Sequence, residues 1–147
     1  MLSIVDITTA IAAELAGHQF GKLMVVERTY EPEHGLEELR TARLIVVPRS
    51  DKTSVATREA DQSDYEIDIA IQAKLAKQGA ELTTEIDGWM AVADQVKRFV
   101  NRLRPSTATG AKVVQVVNKP IYDWDHLRNS GVFTSVITAT VRVVRAA

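Results

Sequence analysis

Between Tyr65 and Leu75 the chain alternates without a break. Tyr65, Ile67, Ile69, Ile71, Ala73 and Leu75 fall on one side, and Glu66, Asp68, Ala70, Gln72 and Lys74 on the other. A period of two sustained this long predicts a half-buried strand of an antiparallel sheet. At about 3.3 Å per residue it runs ~35 Å, well beyond the usual strand of roughly 5–6 residues. A second pattern has the helical period. Leu82, Ile86, Trp89, Ala93, Val96, Val100 and Leu103 step by fours and threes, and Met90, Val92 and Phe99 widen the stripe. This predicts a helix capped at Thr83 or Thr84 and running to about Leu103. Its length of ~30 Å is close to that of the long strand. The simplest packing lays the helix across the long strands, apolar side inward.

The remaining elements follow from shorter signals. Ser3 to Leu15 reads as a helix with Ile4, Ile7, Ile11 and Leu15 on one face, Ser3 as cap, Asp6 in the first turn and Gly17 as its end. The contiguous Leu23, Met24, Val25 and Val26 predict a strand over Lys22–Thr29, buried on both faces or shielded by a neighbour. Ala42–Pro48 reads as a second strand that Pro48 closes, and Lys52–Glu59 as a third, with Ala60–Asp64 as the turn into the long fourth strand. In that hairpin Val55 and Thr57 are expected beside the apolar face of the long strand. Lys112–Val117 and Val132–Arg145 complete the strands. The second of these sets Phe133, Ile137, Ala139, Val141 and Val143 against Thr134, Thr138, Thr140 and Arg142.

The order α-β-β-β-β-α-β-β predicts a single α+β domain over residues 1–147. Its sheet is mixed and mostly antiparallel, of about six strands, with two helices packed on one face. Ile67, Ile69, Ile71, Trp89, Val96 and Val141 belong to the core. The opposite sheet face, with Glu66, Asp68, Gln72, Lys74, Thr134, Thr138, Thr140 and Arg142, is polar enough to meet water.

Composition narrows the function classes. The 147 residues carry a formal net charge of −1, so no basic excess argues for nucleic-acid binding. The absence of cysteine removes disulfides, thiolate nucleophiles and cysteine-rich zinc sites. No stretch approaches the roughly 18 apolar residues of a membrane span, and the N-terminus lacks a signal-peptide pattern. A cytosolic origin is the default. No phosphate-binding loop, dinucleotide fingerprint, nucleophile elbow or zincin motif occurs, so no catalytic residue, cofactor site or metal site is assigned.

Three stretches invite a closer look. His34 lies among Glu31, Glu33, Glu37 and Glu38, but clustered carboxylates in a loop are more often solvated than metal-bound. Asp123 and Asp125 flank Trp124 in a D-W-D-H run, where aspartates more often start turns and cap short helices than transfer protons. Trp124, with Ile121 and Tyr122, sits in the connection 118–131. Such side chains either fold back onto the domain, the commoner outcome, or form part of a contact surface; in the second case His126 joins them. Lys97, Arg98, Arg102, Arg104 and Lys112 are the basic concentration, and the end of the long helix accounts for most of it.

The whole-chain organisation resembles the small neck and tail-completion proteins of tailed bacteriophages, the tail terminator family above all. The features that carry the likeness are the leading amphipathic helix, the meander of strands, the helix with W-M-A-V-A-D-Q-V and the closing strand F-T-S-V-I-T-A-T-V-R-V. The resemblance implies a structural, non-enzymatic subunit. Its copies, six in the family, form a ring that ends the tail tube and meets the head-completion protein. DNA is only passing cargo and no membrane is involved. Assembly would occur in the bacterial host cytoplasm and the product would sit in the virion tail or neck. Ring subunits need contacts between unlike surfaces, for which the loops are candidates, and Glu31, Glu33, Glu37 and Glu38 are candidates for an acidic channel lining. The competing expectation is a small, non-viral α+β ligand-binding or regulatory domain, dimeric.

Overall fold

The computed structural model describes residues 2–30, 40–104 and 110–146. The chain forms α1 (Ile4–Ala16), β1 (Met24–Arg28), β2 (Ala42–Thr57), β3 (Ala60–Lys74), α2 (Ala80–Asn101), β4 (Ala111–Asn118), α3 (Trp124–Ser130) and β5 (Val132–Ala146). The sheet has five strands in the order β1-β2-β3-β5-β4. β1 runs parallel to β2, and every other neighbouring pair is antiparallel. This is the expected α+β class with a mixed, mostly antiparallel sheet.

Local chemistry starts α1 as the sequence suggests. The Asp6 N–H donates to Ser3 Oγ at 3.2 Å, and the Ser3 N–H donates to Asp6 Oδ2 at 2.9 Å, a reciprocal cap. The bond from the Ser3 backbone holds the Asp6 carboxyl below its ordinary range. Ile7, Ile11 and Leu15 are fully buried against the sheet, and α1 packs on β1 and β2 while α2 packs on β4 and β5. The α2 stripe behaves as its period predicts: Trp89, Ala93, Val96, Val100 and Leu103 are buried. The helix begins earlier than expected, however. Its N-cap is Gly79 at φ 64° and ψ −137°, with no side-chain cap, a conformation that favours glycine. Neither Thr83 nor Thr84 caps it. Glu85 instead reaches back from the second turn and accepts the N–H groups of Ala76 and Lys77 at 3.0 and 3.1 Å, fixing the exit from β3.

β3 is the centre of the sheet. Tyr65, Ile67, Ile69, Ile71 and Ala73 are all buried on the helix side, in one apolar cluster with α1, α2 and residues of every strand. Ile69 pairs with Val46 on one side and Ile137 on the other. All six residues expected in the core, Ile67, Ile69, Ile71, Trp89, Val96 and Val141, are there.

Three strand expectations need correction. First, the two strands assigned to 42–48 and 52–59 are one, β2, so the sheet has five strands and not six. Pro48 does not close it. The Thr29 N–H donates to the Val46 carbonyl at 3.0 Å, so Val46 turns its backbone polar groups toward β1. Pro48, two residues on, turns its own the same way, beyond the end of β1, where a missing N–H costs no ladder bond. A bulge follows, with Arg49 extra relative to β3. Second, the hairpin turn is Arg58-Glu59, and Ala60–Asp64 is already strand. Val55 therefore pairs with Asp61, near the tip, and is 76% exposed. Third, β1 is not buried on both faces. It is an edge strand, and Leu23 and Val25 are exposed.

The polar sheet face also differs in part. Ala70 and Gln72 are buried there, and Ile45, Val47 and Ala70 form a small second apolar cluster with Val136 packed on it.

Candidate interaction surface

The connection after β4 continues along β5. The Lys119 N–H donates to the Val136 carbonyl at 3.0 Å, the Val136 N–H to the Pro120 carbonyl at 3.1 Å, and the Asp123 N–H to the Thr134 carbonyl at 2.8 Å. The Lys119–Pro120 peptide is cis. Asp123 then caps α3 by accepting the His126 N–H at 3.0 Å, the structural use of aspartate that the D-W-D-H run suggested. Gly131 ends α3 at φ 61°, the left-handed conformation of a helix terminus. His126 is half-buried and faces the sheet: its Nδ1 lies 2.8 Å from Thr134 Oγ1, which accepts from Gln72 Nε2 at 3.4 Å. The histidine thus ties α3 to the polar sheet face through Thr134, which buried Gln72 also contacts.

This scaffold leaves Ile121, Tyr122 and Trp124 exposed, at 50%, 44% and 57%. Of the four residues considered for a contact surface, these three are exposed and His126 is half-buried against Thr134. Val114 and Val117 of β4 are exposed as well, and a small groove is lined by Ile121, Val116, Asn118, Met90, Asp94 and Lys97. Exposed apolar side chains therefore occur both on β4 and in the connection that follows it. Val114 and Val117 were hidden in sequence by the contiguous run K-V-V-Q-V-V, whose faces cannot be sorted without the bulge between Val113 and Gln115.

The rest of the polar sheet face satisfies itself. Arg142 binds Asp64 in a two-pronged contact, Nε to Oδ1 at 2.9 Å and Nη2 to Oδ2 at 3.2 Å. The guanidinium holds the Asp64 carboxyl below its ordinary value, and the carboxylate raises that of Arg142. Thr138 Oγ1 donates to Asp68 at 2.7 Å, and Arg49 lies 3.7 Å from both Asp68 and Glu66.

Other candidates are less built. Glu31, Glu33, His34, Glu37 and Glu38 lie outside the described residues. Among the described residues no group of three or more His, Asp or Glu side chains is placed to hold a metal. Asp94 offsets part of the basic concentration through Lys97 at 3.4 Å and Arg98 at 3.0 Å. A cleft of about 640 Å³ is lined by Lys22, Arg40, Lys74 and Trp89, with Lys22 Nζ 4.9 Å from the indole centroid. No described helix is long and apolar enough to cross a membrane. No protein-family model matches the chain, and no curated protein matches it significantly.

Proposed function

We propose that the chain is a structural subunit of a phage or prophage tail or neck, built to form a ring that ends the tail tube and meets the head-completion protein. The organisation of the sequence supplies the viral context. The observation that supports an assembly role is the apolar surface of Ile121, Tyr122 and Trp124, held by backbone hydrogen bonds to β5 and by the His126 anchor. Large apolar side chains ordered on a rigid backbone lose little freedom on docking, which suits a protein interface. Nothing in this reading asks the chain for chemistry: the subunit works by shape, DNA passes as cargo, and assembly belongs to the host cytoplasm.

The test is to add purified protein to tail tubes and look for capped ends by negative stain, with light scattering on the free protein. Rings or capped tubes are expected, and Trp124→Ser should lose them while remaining folded. A stable dimer at every concentration, with tubes left bare, would overturn the proposal in favour of a dimeric ligand-binding domain.

A further inference from the structure

Among the described residues the sheet has two open edges of unlike kind. At one end β1 covers only Ala42–Val46 of β2. From Val47 to Thr57, β2 has β3 on one side and no strand on the other among the described residues. Residues 49–59 are exposed throughout. The odd-numbered residues of β3 pair with Val46, Pro48, Asp51, Thr53 and Val55, so these β2 residues share the outward direction that the Thr29 contact reveals at Val46. Among the described residues, no strand therefore takes up the outward backbone donors and acceptors of Asp51, Thr53 and Val55. At the other end lies β4, eight residues long and the last strand of the sheet.

Direction and level match across these edges. β2 and β5 run one way and β3 and β4 the other. A second copy set beside the first by rotation within the sheet brings its β4 antiparallel to β2. Tracing the register through β5 and β3, Asn118 stands level with Val46 and Ala111 with Thr53. Val46 is the last residue that β1 covers, so the neighbour's β4 fits the gap between the end of β1 and the hairpin tip once it is shifted toward the tip. A level alignment sets Lys112 beside Lys52. A shift of two residues toward the tip sets it beside Ser54 instead, and keeps every side chain on its own face. So small an offset suits contacts that close by rotation, whereas a large one would climb into a filament.

Most exposed apolar side chains lie at the same two edges, Val5 of α1 and Val144 of β5 apart. Leu23, Val25, Tyr30 and Val55 lie on the β1–β2 side, and Val114, Val117, Ile121, Tyr122 and Trp124 on the β4 side. A ladder of one strand pair is small for a stable interface, and these flanking side chains add the apolar area. As the neighbour's chain leaves β4, its Ile121–Trp124 segment continues toward the end of β1, where Tyr30 is 66% exposed and Arg28 lies 5.6 Å from its ring centroid.

We infer that this chain assembles by sheet continuation, the β4 edge of one copy pairing antiparallel with residues 47–57 of the next. The inference rests on the ring reading and deepens it by naming which surfaces meet, from strand directions, levels and the exposed apolar side chains at the two edges. Because the chain has no cysteine, the full-length double variant Ser54→Cys, Lys112→Cys tests it by mild oxidation and non-reducing electrophoresis. A ladder of multimers is expected from the double variant, and only a heterodimer from a mixture of the two single variants. Thr53→Pro removes one outward N–H and leaves the β3 ladder whole. It should weaken self-association by about tenfold or more, with the urea midpoint close to that of Thr53→Ala. Oligomers by light scattering without the ladder would overturn the edge pairing and leave the ring reading standing. A single variant that dimerises as readily as the mixture would also overturn it, as would a monomer without cross-links at millimolar concentration. Tube capping judges the ring reading separately.

Discussion

Ile69→Ala is the most direct test of the architecture. Ile69 is fully buried in the central strand, with buried Val46 and Ile137 beside it on the same face. The substitution deletes three carbons at about 0.8 kcal/mol each. Neighbours on two strands and the helices above cannot close over the gap, so a residual cavity on the order of 50 Å³ adds about 1 kcal/mol. The expected loss is ~3–4 kcal/mol. A urea melt followed by far-UV circular dichroism measures it, with the slope unchanged if only stability moves. Val55→Ala is the control: the side chain is 76% exposed near the hairpin tip, and the change should stay within about 0.5 kcal/mol. A loss below about 0.5 kcal/mol for Ile69→Ala would refute the placement of β3, and with it the register on which the edge surfaces depend.

Trp124 is 57% exposed and Trp89 8%, so Trp124→Phe should blue-shift the emission and remove most acrylamide quenching, whereas Trp89→Phe should leave a strongly quenched protein. Trp124→Ser should change stability by no more than about 0.5 kcal/mol; a larger loss in a urea melt means that the indole packs on its own domain. Gly131→Ala places a Cβ at φ 61° with nothing within 4 Å of it, so its cost is conformational, ~1–2 kcal/mol, and Gly131→Asn should cost less. Asp64 titrates below its ordinary 3.8 because Arg142 binds it. Its contribution is therefore complete above that value and is lost as pH falls through the lowered one. Arg142→Gln should be less stable than the wild type at neutral pH, and the difference should shrink in melts taken well below pH 3.8.

Elements whose burial has one period were readable from sequence, and elements whose partner lies far along the chain were not. The alternation from Tyr65 to Ala73 and the stripe from Trp89 to Leu103 each report a single apolar face, and the structure buries both. The hairpin was misplaced because two punctuation signals point the wrong way. Pro48 reads as a stop, yet sits where β1 has ended and no donor is required. The actual turn, Arg58-Glu59, contains neither glycine nor asparagine, and it is steadied by the Glu59 N–H donating to Thr57 Oγ1 at 3.2 Å. Thr83 or Thr84 reads as the start of α2 because a hydroxyl is the usual cap, whereas the backbone of Gly79 starts the helix with no side-chain cap. On the contact surface, the exposure of Trp124 depends on a backbone ladder between residues 119–123 and β5, and no local pattern encodes that ladder.

Why should contacts fall on the edges and not on the open sheet face? α1 and α2 cover the apolar core on one face. On the other, side chains already hold one another: Asp64 with Arg142, Asp68 with Thr138, and Gln72 with Thr134 and His126. A partner docking there must strip water from charges that gain no new bond, and desolvation of that kind offsets most of what contact supplies. Edges differ. Backbone donors and acceptors at Asp51, Thr53 and Val55 trade water for a strand ladder of equal geometry, and Val114, Val117 and Trp124 lose apolar exposure at the same time. The bulges at Arg49 and Val114 and the charges at Arg49, Asp51 and Lys52 act against this. They make each edge a poor template for a random strand. That leaves pairing to a partner whose direction, level and flanking side chains all fit, and the opposite edge of the same chain meets the first two conditions by construction of the sheet.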